Sequence, residues 1–160
     1  RVFMFESQFE VLPEWVDGNK HMGDRYYVEV LMELGDRINE DLGFDEKDLH
    51  PKGYAMFTGD FHITFVKELR LGAAFSVETR VTGYDDKRFI MHHELVNAAD
   101  ELCVSASRLF LNIDWHSRKV TPFFEEARAT LENLLNADAA IAPPRNHGRS
   151  VRLDAGRPDQ

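Results

Sequence analysis

Residues 23–42 read GDRYYVEVLMELGDRINEDL. Tyr27, Val30, Leu31, Leu34, Ile38 and Leu42 recur at three- and four-residue spacing, so they share one face of a helix. Glu29, Glu33, Asp36 and Glu40 fall mostly on the opposite face. Asp24 is suited to cap the helix and Gly43 to stop it. This is the one long helix of the chain, and the segments around it have a different period. Residues 2–11 hold Val2, Phe3, Phe5, Phe9 and Val11 and read as a strand ended by Pro13. Downstream, residues 56–67 alternate, with Phe61, Ile63 and Phe65 against Asp60, His62 and Thr64. Residues 74–82, 88–97 and 103–114 complete a set of four strands. Turn residues separate them at Leu71-Gly72, at 83–86 and at 97–100, which predicts an antiparallel meander. Pro122 opens a second helix to Leu135. Helix and strand segments are segregated along the chain, so the fold class is α+β, with the long helix lying across an antiparallel sheet.

The 160 residues suit one domain with its own core. Nineteen Lys and Arg against 28 Asp and Glu leave a net charge of −9, which argues against a nucleic-acid partner. A lone cysteine, Cys103, excludes an intrachain disulfide and fits a reducing, cytoplasmic setting. No apolar run is long enough to span a bilayer, and no secretory signal is visible. The chain opens on Arg1 and not Met, the expectation for a trimmed chain or a piece of a longer one. Residues 1–135 form the expected domain. Residues 136–160, with four Arg, three Asp and three Pro, read as an extended tail, mobile or draped over a partner subunit.

Chemistry concentrates just before the helix. Asp17, Asn19 and His21 precede an N-terminus whose first N–H groups are unpaired and whose dipole is positive. Such donors hold a developing oxyanion, and a nearby carboxylate can activate water or attack a carbonyl. The same residues also fit a capped, solvated loop. Trp15, Tyr26 and Tyr27 flank that loop, Tyr27 on the apolar stripe of the helix. His92 and His93 are adjacent on a strand and point to opposite faces, so a shared metal is not expected. Ser105 and Ser107 lack a nucleophile elbow. Lys87 and Arg88, in a charged turn, suit phosphates or plain solvent.

The stretch Val11-Leu12-Pro13-Glu14-Trp15-Val16-Asp17-Gly18-Asn19-Lys20-His21-Met22 resembles the signature of hotdog-fold acyl-CoA thioesterases of the 4-hydroxybenzoyl-CoA thioesterase type, W-[VI]-D-x-N-G-H-[ML]. Residues 57–64, the turn 83–88, Leu111-Asn112-Ile113-Asp114 and Thr121-Pro122-Phe123 resemble its later motifs in order. Residues 11–17 and the pair Gly148-Arg149 are similar to betainyl-CoA thioesterases of bacterial carnitine breakdown. The resemblance implies a curved sheet wrapped around the long helix, homodimers or tetramers with shared sites, an acyl-CoA substrate and no cofactor. It implies Asp17 as the catalytic carboxylate, with a backbone N–H of Gly23 or Asp24 as oxyanion donor. Asn19 and His21 would order the loop or position water. Asp60 would face the site from a neighbouring subunit, and Trp15 and Tyr26 would line it. Lys87 and Arg88 would hold CoA phosphates. Lys20 departs from the family, standing where glycine is usual. A hotdog hydratase or dehydratase and a non-catalytic acyl-CoA-binding module are the alternatives. The first is disfavoured by the missing proline between Asp17 and His21.

Overall fold

In the computed structural model, which describes residues 5–145, five strands form one antiparallel sheet around a central helix. The strands are β1 (Phe5–Glu10), β2 (Tyr54–Phe65), β3 (Ala74–Tyr84), β4 (Arg88–Asn97) and β5 (Leu102–Asp114). The helices are α1 (Asp24–Asp41), the single turn α2 (Glu46–Leu49) and α3 (Glu125–Asp138), with short 3-10 turns at Pro13–Trp15 and His50–Lys52. The predicted class and the central helix are present. The first strand begins at Phe5 among the described residues, residues 2–4 lying outside them.

Strand order corrects the meander. The sheet runs β1-β3-β4-β5-β2, so only β3, β4 and β5 follow one another as hairpins. β2 lies beside β5 at one edge and β1 beside β3 at the other. The reason is the β2–β3 connection, which is no tight turn. It crosses the sheet end and is pinned there, Met22 N–H donating to Leu69 O at 2.8 Å and Gly72 N–H to Val11 O at 3.0 Å. The segment α2 and its 3-10 extension were not anticipated, because four residues carry too little periodicity to read.

The apolar stripe of α1 predicted from spacing is the buried one: Tyr27, Val30, Leu31, Leu34 and Ile38. It packs on Phe75, Val77, Phe89, Met91, Leu95, Ala106 and Phe110 of the sheet. Gly35 is the point of closest approach, where a Cβ would stand 3.1 Å from Arg108 Nη1 and 3.5 Å from Met91 Sδ. Helix α1 ends in a Schellman motif. Gly43 takes φ +78°, its N–H donates to Glu40 O, and Phe44 N–H donates to Asn39 O at 2.7 Å.

The other face of the sheet is also covered, and it carries buried polar residues that need partners. His92 pairs with Ser107 Oγ on the facing strand at 2.7 Å. Arg80 is ion-paired with Asp138 and donates to Ala142 O at 2.6 Å. Glu94 accepts Arg145 N–H at 2.6 Å and its guanidinium at 3.1 Å. Two expectations for the tail change here. Helix α3 runs to Asp138 and not Leu135. Residues 138–145 lie on this chain's own sheet, held there by Arg80, Glu94 and Ser105. Residues 146–160, with Gly148 and Arg149, lie outside the described residues.

Candidate active site at the start of the central helix

An antiparallel bridge between Val16 and Met22 closes residues 17–21 into a small loop. Inside it, Asp17 N–H donates to His21 O at 3.3 Å and Lys20 N–H to Asp17 O at 3.0 Å. Asn19 N–H donates to Asp17 Oδ1 at 2.8 Å, which fixes the carboxylate. Lys20 adopts φ +65°, the left-handed conformation that a glycine at this position takes freely. The departure from the family motif therefore leaves the loop shape open to the chain, at the steric cost of a Cβ.

The other oxygen of Asp17, Oδ2, lies against Gly23, where a Cβ would meet it at 3.1 Å. Gly23 thus brings the carboxylate up to the helix start. Gly23 and not Asp24 is the N-cap residue, and no side chain makes the cap bond. Gly23 N–H also leaves the role of oxyanion donor, because it donates to Trp15 O at 2.9 Å. The N–H of Asp24 has no partner among the described residues and points out of an uncapped helix end. Of the two expected donors, Asp24 is the one whose backbone N–H is free.

His21 Nδ1 donates to Met22 O at 3.0 Å, so in the neutral ring Nε2 carries the lone pair. His21 and Asp24 line a cavity of about 160 Å³ with Tyr27, Phe65 and Glu68. Burial pushes the Tyr27 phenol up to about 12. It therefore stays protonated, accepts Leu69 N–H at 3.2 Å, and belongs to the core. Trp15 is half-buried against Phe75, with ring centroids 6.4 Å apart. The Tyr26 ring lies 3.4 Å from the Gly23 Cβ position and under the Arg25 guanidinium.

Three of the remaining predicted residues are remote in this chain. Asp60 is exposed on β2 at a bulge, five residues before Phe65, the residue that packs on Tyr27. Lys87 and Arg88 follow the far end of β3, whose other end carries Phe75 under Trp15. Eleven strand residues separate the two by roughly 35 Å. Arg88 is moreover held by Asp85 at 2.6 Å, which also keeps that carboxyl below its usual range.

A second concavity of about 320 Å³ was not anticipated. It lies between the last turns of α1, α2 and the first half of β2, and Asp36, Asn39, Phe57, Arg108 and Trp115 are among its walls. One sign of it was readable: Asn39 continues the i+4 series Leu31, Gly35 on a buried helix face, where a polar residue is out of place. Among the described residues no group of three or more His, Cys, Asp or Glu is placed to hold a metal ion. Nor is any helix among them long and apolar enough to cross a membrane.

Comparison with known proteins agrees with this architecture. Residues 11–131 match the thioesterase-like superfamily. A betainyl-CoA thioesterase of Pseudomonas aeruginosa is 31% identical over 89% of this chain and 91% of its own length. An L-carnitine dehydrogenase/betainyl-CoA thioesterase of Agrobacterium fabrum is 31% identical over 86% of this chain and 28% of that longer protein. A Staphylococcus aureus protein solved in complex with CoA superimposes with a TM-score of 0.85 at 26% identity, covering 93% of this chain and 94% of that one. With a five-stranded sheet curved around one long helix, and with these relatives, the chain belongs to the hotdog acyl-CoA thioesterases of the thioesterase-like superfamily.

Proposed function

We propose that the protein hydrolyses the thioester of a small acyl-CoA, with Asp17 as general base or nucleophile. The observation that carries this is the position of the Asp17 carboxylate. One oxygen is tied by Asn19 N–H, and the other lies against the open N-terminus of α1. A thioester carbonyl at that terminus would point its oxygen at Asp24 N–H, where the positive end of the helix dipole stabilises a developing oxyanion. In the general-base route Asp17 takes a proton from water as the water oxygen bonds to the carbonyl carbon. The tetrahedral centre collapses, the C–S bond breaks, and the proton passes to the departing CoA thiolate. Asn19 and His21 serve by holding the loop, the first through its N–H and the second through its carbonyl.

The active unit in this reading is a homodimer paired through β2. That strand is twelve residues long, lies at the sheet edge and exposes Phe57 and Phe65. An edge of this length and character is a template for a second strand. Antiparallel pairing about the Thr58–Asp60 bulge sets the first half of β2 beside the partner's second half. The β3–β4 turn lies at the same sheet end as that first half, so Lys87 faces the partner's Asp17 loop, as a contact for CoA phosphates. Asp60, mid-edge, lies between the two loops. Trp15 and Tyr26 flank the reacting carbon.

Betainyl-CoA is the substrate we propose first, on the similarity to the Pseudomonas aeruginosa and Agrobacterium fabrum relatives, which would place the reaction in carnitine breakdown. The test is thiol release from a panel of betainyl-CoA, 4-hydroxybenzoyl-CoA and short straight-chain acyl-CoAs. Release from at least one ester, fastest with betainyl-CoA, is expected. Tight binding of every ester with no release would replace hydrolysis by a binding role.

A further inference from the structure

The 320 Å³ cavity is at the lower end of the range of small-molecule sites, about 300–1,000 Å³. Its walls are of two kinds. Phe44, Met56, Phe57, Phe110 and Trp115 supply apolar and aromatic surface. The polar groups are Asp36, Asn39, Asp45, Glu46, His50 and Arg108, and the His50 ring is stacked on Trp115 with centroids 3.7 Å apart. Asp36 is paired with the Arg108 guanidinium and Asp45 with Lys47 Nζ at 3.9 Å, so Glu46 is the wall carboxylate left without an ion pair among the described residues. Arg108 is itself only 5% exposed and already committed, donating to Thr58 Oγ1 at 2.9 Å and Asp36 Oδ1 at 3.2 Å. It stands over the Phe110 ring besides. Three carboxylates against the Arg108 guanidinium and the Lys47 ammonium beside Asp45 leave the site one charge negative.

Two further observations point to what belongs there. Asn39 is 6% exposed, lines the cavity, and its Oδ1 has no hydrogen-bond partner. A buried acceptor without a donor is destabilising and calls for a ligand that supplies positive charge or polarised hydrogens. At the rim, the aromatic rings already draw a cation. The exposed Arg118 guanidinium lies 4.3 Å from the Trp115 ring centroid and 5.4 Å from that of Phe57. The carboxylates do not converge into a metal-ion group, and half of the wall is apolar. Both features favour an organic cation with an apolar body.

We infer that this cavity is the receptor for a compact organic cation, the quaternary ammonium end of the acyl group, and that Asn39, Asp45, Glu46 and Phe57 set the specificity. The inference rests on the dimeric thioesterase reading above. Within one chain Asp36 lies twelve residues along α1 from Asp24, roughly 18 Å, too far for a short acyl group. Across a β2–β2 pair the cavity adjoins the partner's second half of β2, where Phe65 packs on the first turn of α1. The acyl chain then runs from the partner's Asp17 loop into this cavity. An aromatic face contributes more to a cation stripped of water than to a neutral group of equal shape, by about 2 kcal/mol, a factor of roughly thirty.

The test compares betainyl-CoA with 3,3-dimethylbutanoyl-CoA, in which carbon replaces nitrogen and the shape is kept. The wild-type protein should show a kcat/KM ratio favouring the cation about thirtyfold. Asp45→Asn combined with Glu46→Gln keeps size, and Asn at 45 still accepts Asp48 N–H as the α2 cap. That variant should bring the ratio to within about threefold of one. Phe57→Leu should also lower it. A wild-type ratio near one, or a ratio unmoved by these variants, would overturn the proposal. Should wild type cleave neither ester, the betainyl-CoA reading fails and the cavity is judged separately. Tetramethylammonium is then titrated against the Trp115 indole N–H signal. A saturable shift in wild type that the double variant loses upholds the cavity, and no shift rejects it.

Discussion

Acid should weaken this fold through one residue, His93. Its ring is fully buried beneath α1. Nδ1 meets Thr79 Oγ1 at 2.7 Å, while Nε2 has no hydrogen-bond partner and lies 3.7 Å from the Cβ position of Gly35. Burial first, and then the positive charge of Arg108, push its pKa down to about 3. An unfolded histidine titrates near 6.5, so below that pH the unfolded chain binds a proton that the folded one refuses. The folded pKa is depressed, so the stability is present above pH 6.5 and is lost as pH falls, until the folded ring protonates near 3. Each pH unit in that window is worth about 1.4 kcal/mol, and from pH 7 to pH 5 the loss is about 2 kcal/mol. Urea denaturation of wild type and His93→Gln, at one protein concentration and at pH 7 and 5, separates this from titration elsewhere. Wild type should lose about 2 kcal/mol more than the variant across the interval. Equal losses would show that His93 is not held neutral by its surroundings.

Other consequences follow from single contacts. Lys20→Gly should cost no stability, because φ +65° suits glycine, whereas Lys20→Val should cost about 1 kcal/mol or more by thermal or urea denaturation. Gly23→Ala puts a Cβ 3.1 Å from Asp17 Oδ2 and should displace the carboxylate by a few tenths of an ångström. A roughly three- to tenfold fall in kcat, with urea stability little changed, is expected from the steep dependence of rate on placement. Asp138→Ala leaves the Arg80 guanidinium buried beside Ala142 O without its carboxylate, and should destabilise by about 3 kcal/mol in urea.

The parts of the fold that were legible in the sequence are those written in local patterns. The stripe from Tyr27 to Ile38 and the glycine at 43 announce α1 and its end. Alternation in residues 61–65 and 75–81 announces strands. Strand order is not local: β2 pairs with β5, whose partner residues come about forty to sixty positions later, and the intervening β2–β3 crossover contains turn residues that look like a hairpin. The outer sheet face was opaque for the same reason. Arg80 and Glu94 find their counter-charges at Asp138 and Arg145, too far along the chain for spacing to suggest. At the site, the Asp17 loop was visible as a motif, but the occupied N–H of Gly23 was not, since it depends on the Trp15 carbonyl folding back. The second cavity draws residues from positions 36 to 115, and only Asn39 on a buried helix face hinted at it.

The central claim is that the carboxylate at the start of α1 performs the chemistry. It is tested most directly by thiol release from the best ester of the panel, wild type beside Asp17→Asn. The amide preserves the acceptor oxygen that receives Asn19 N–H and keeps the side chain's shape, but it can neither take a proton nor attack. Turnover should fall by at least about 10²-fold, with circular dichroism and urea stability close to wild type. Turnover within a few-fold of wild type would contradict it and move the chemistry away from Asp17.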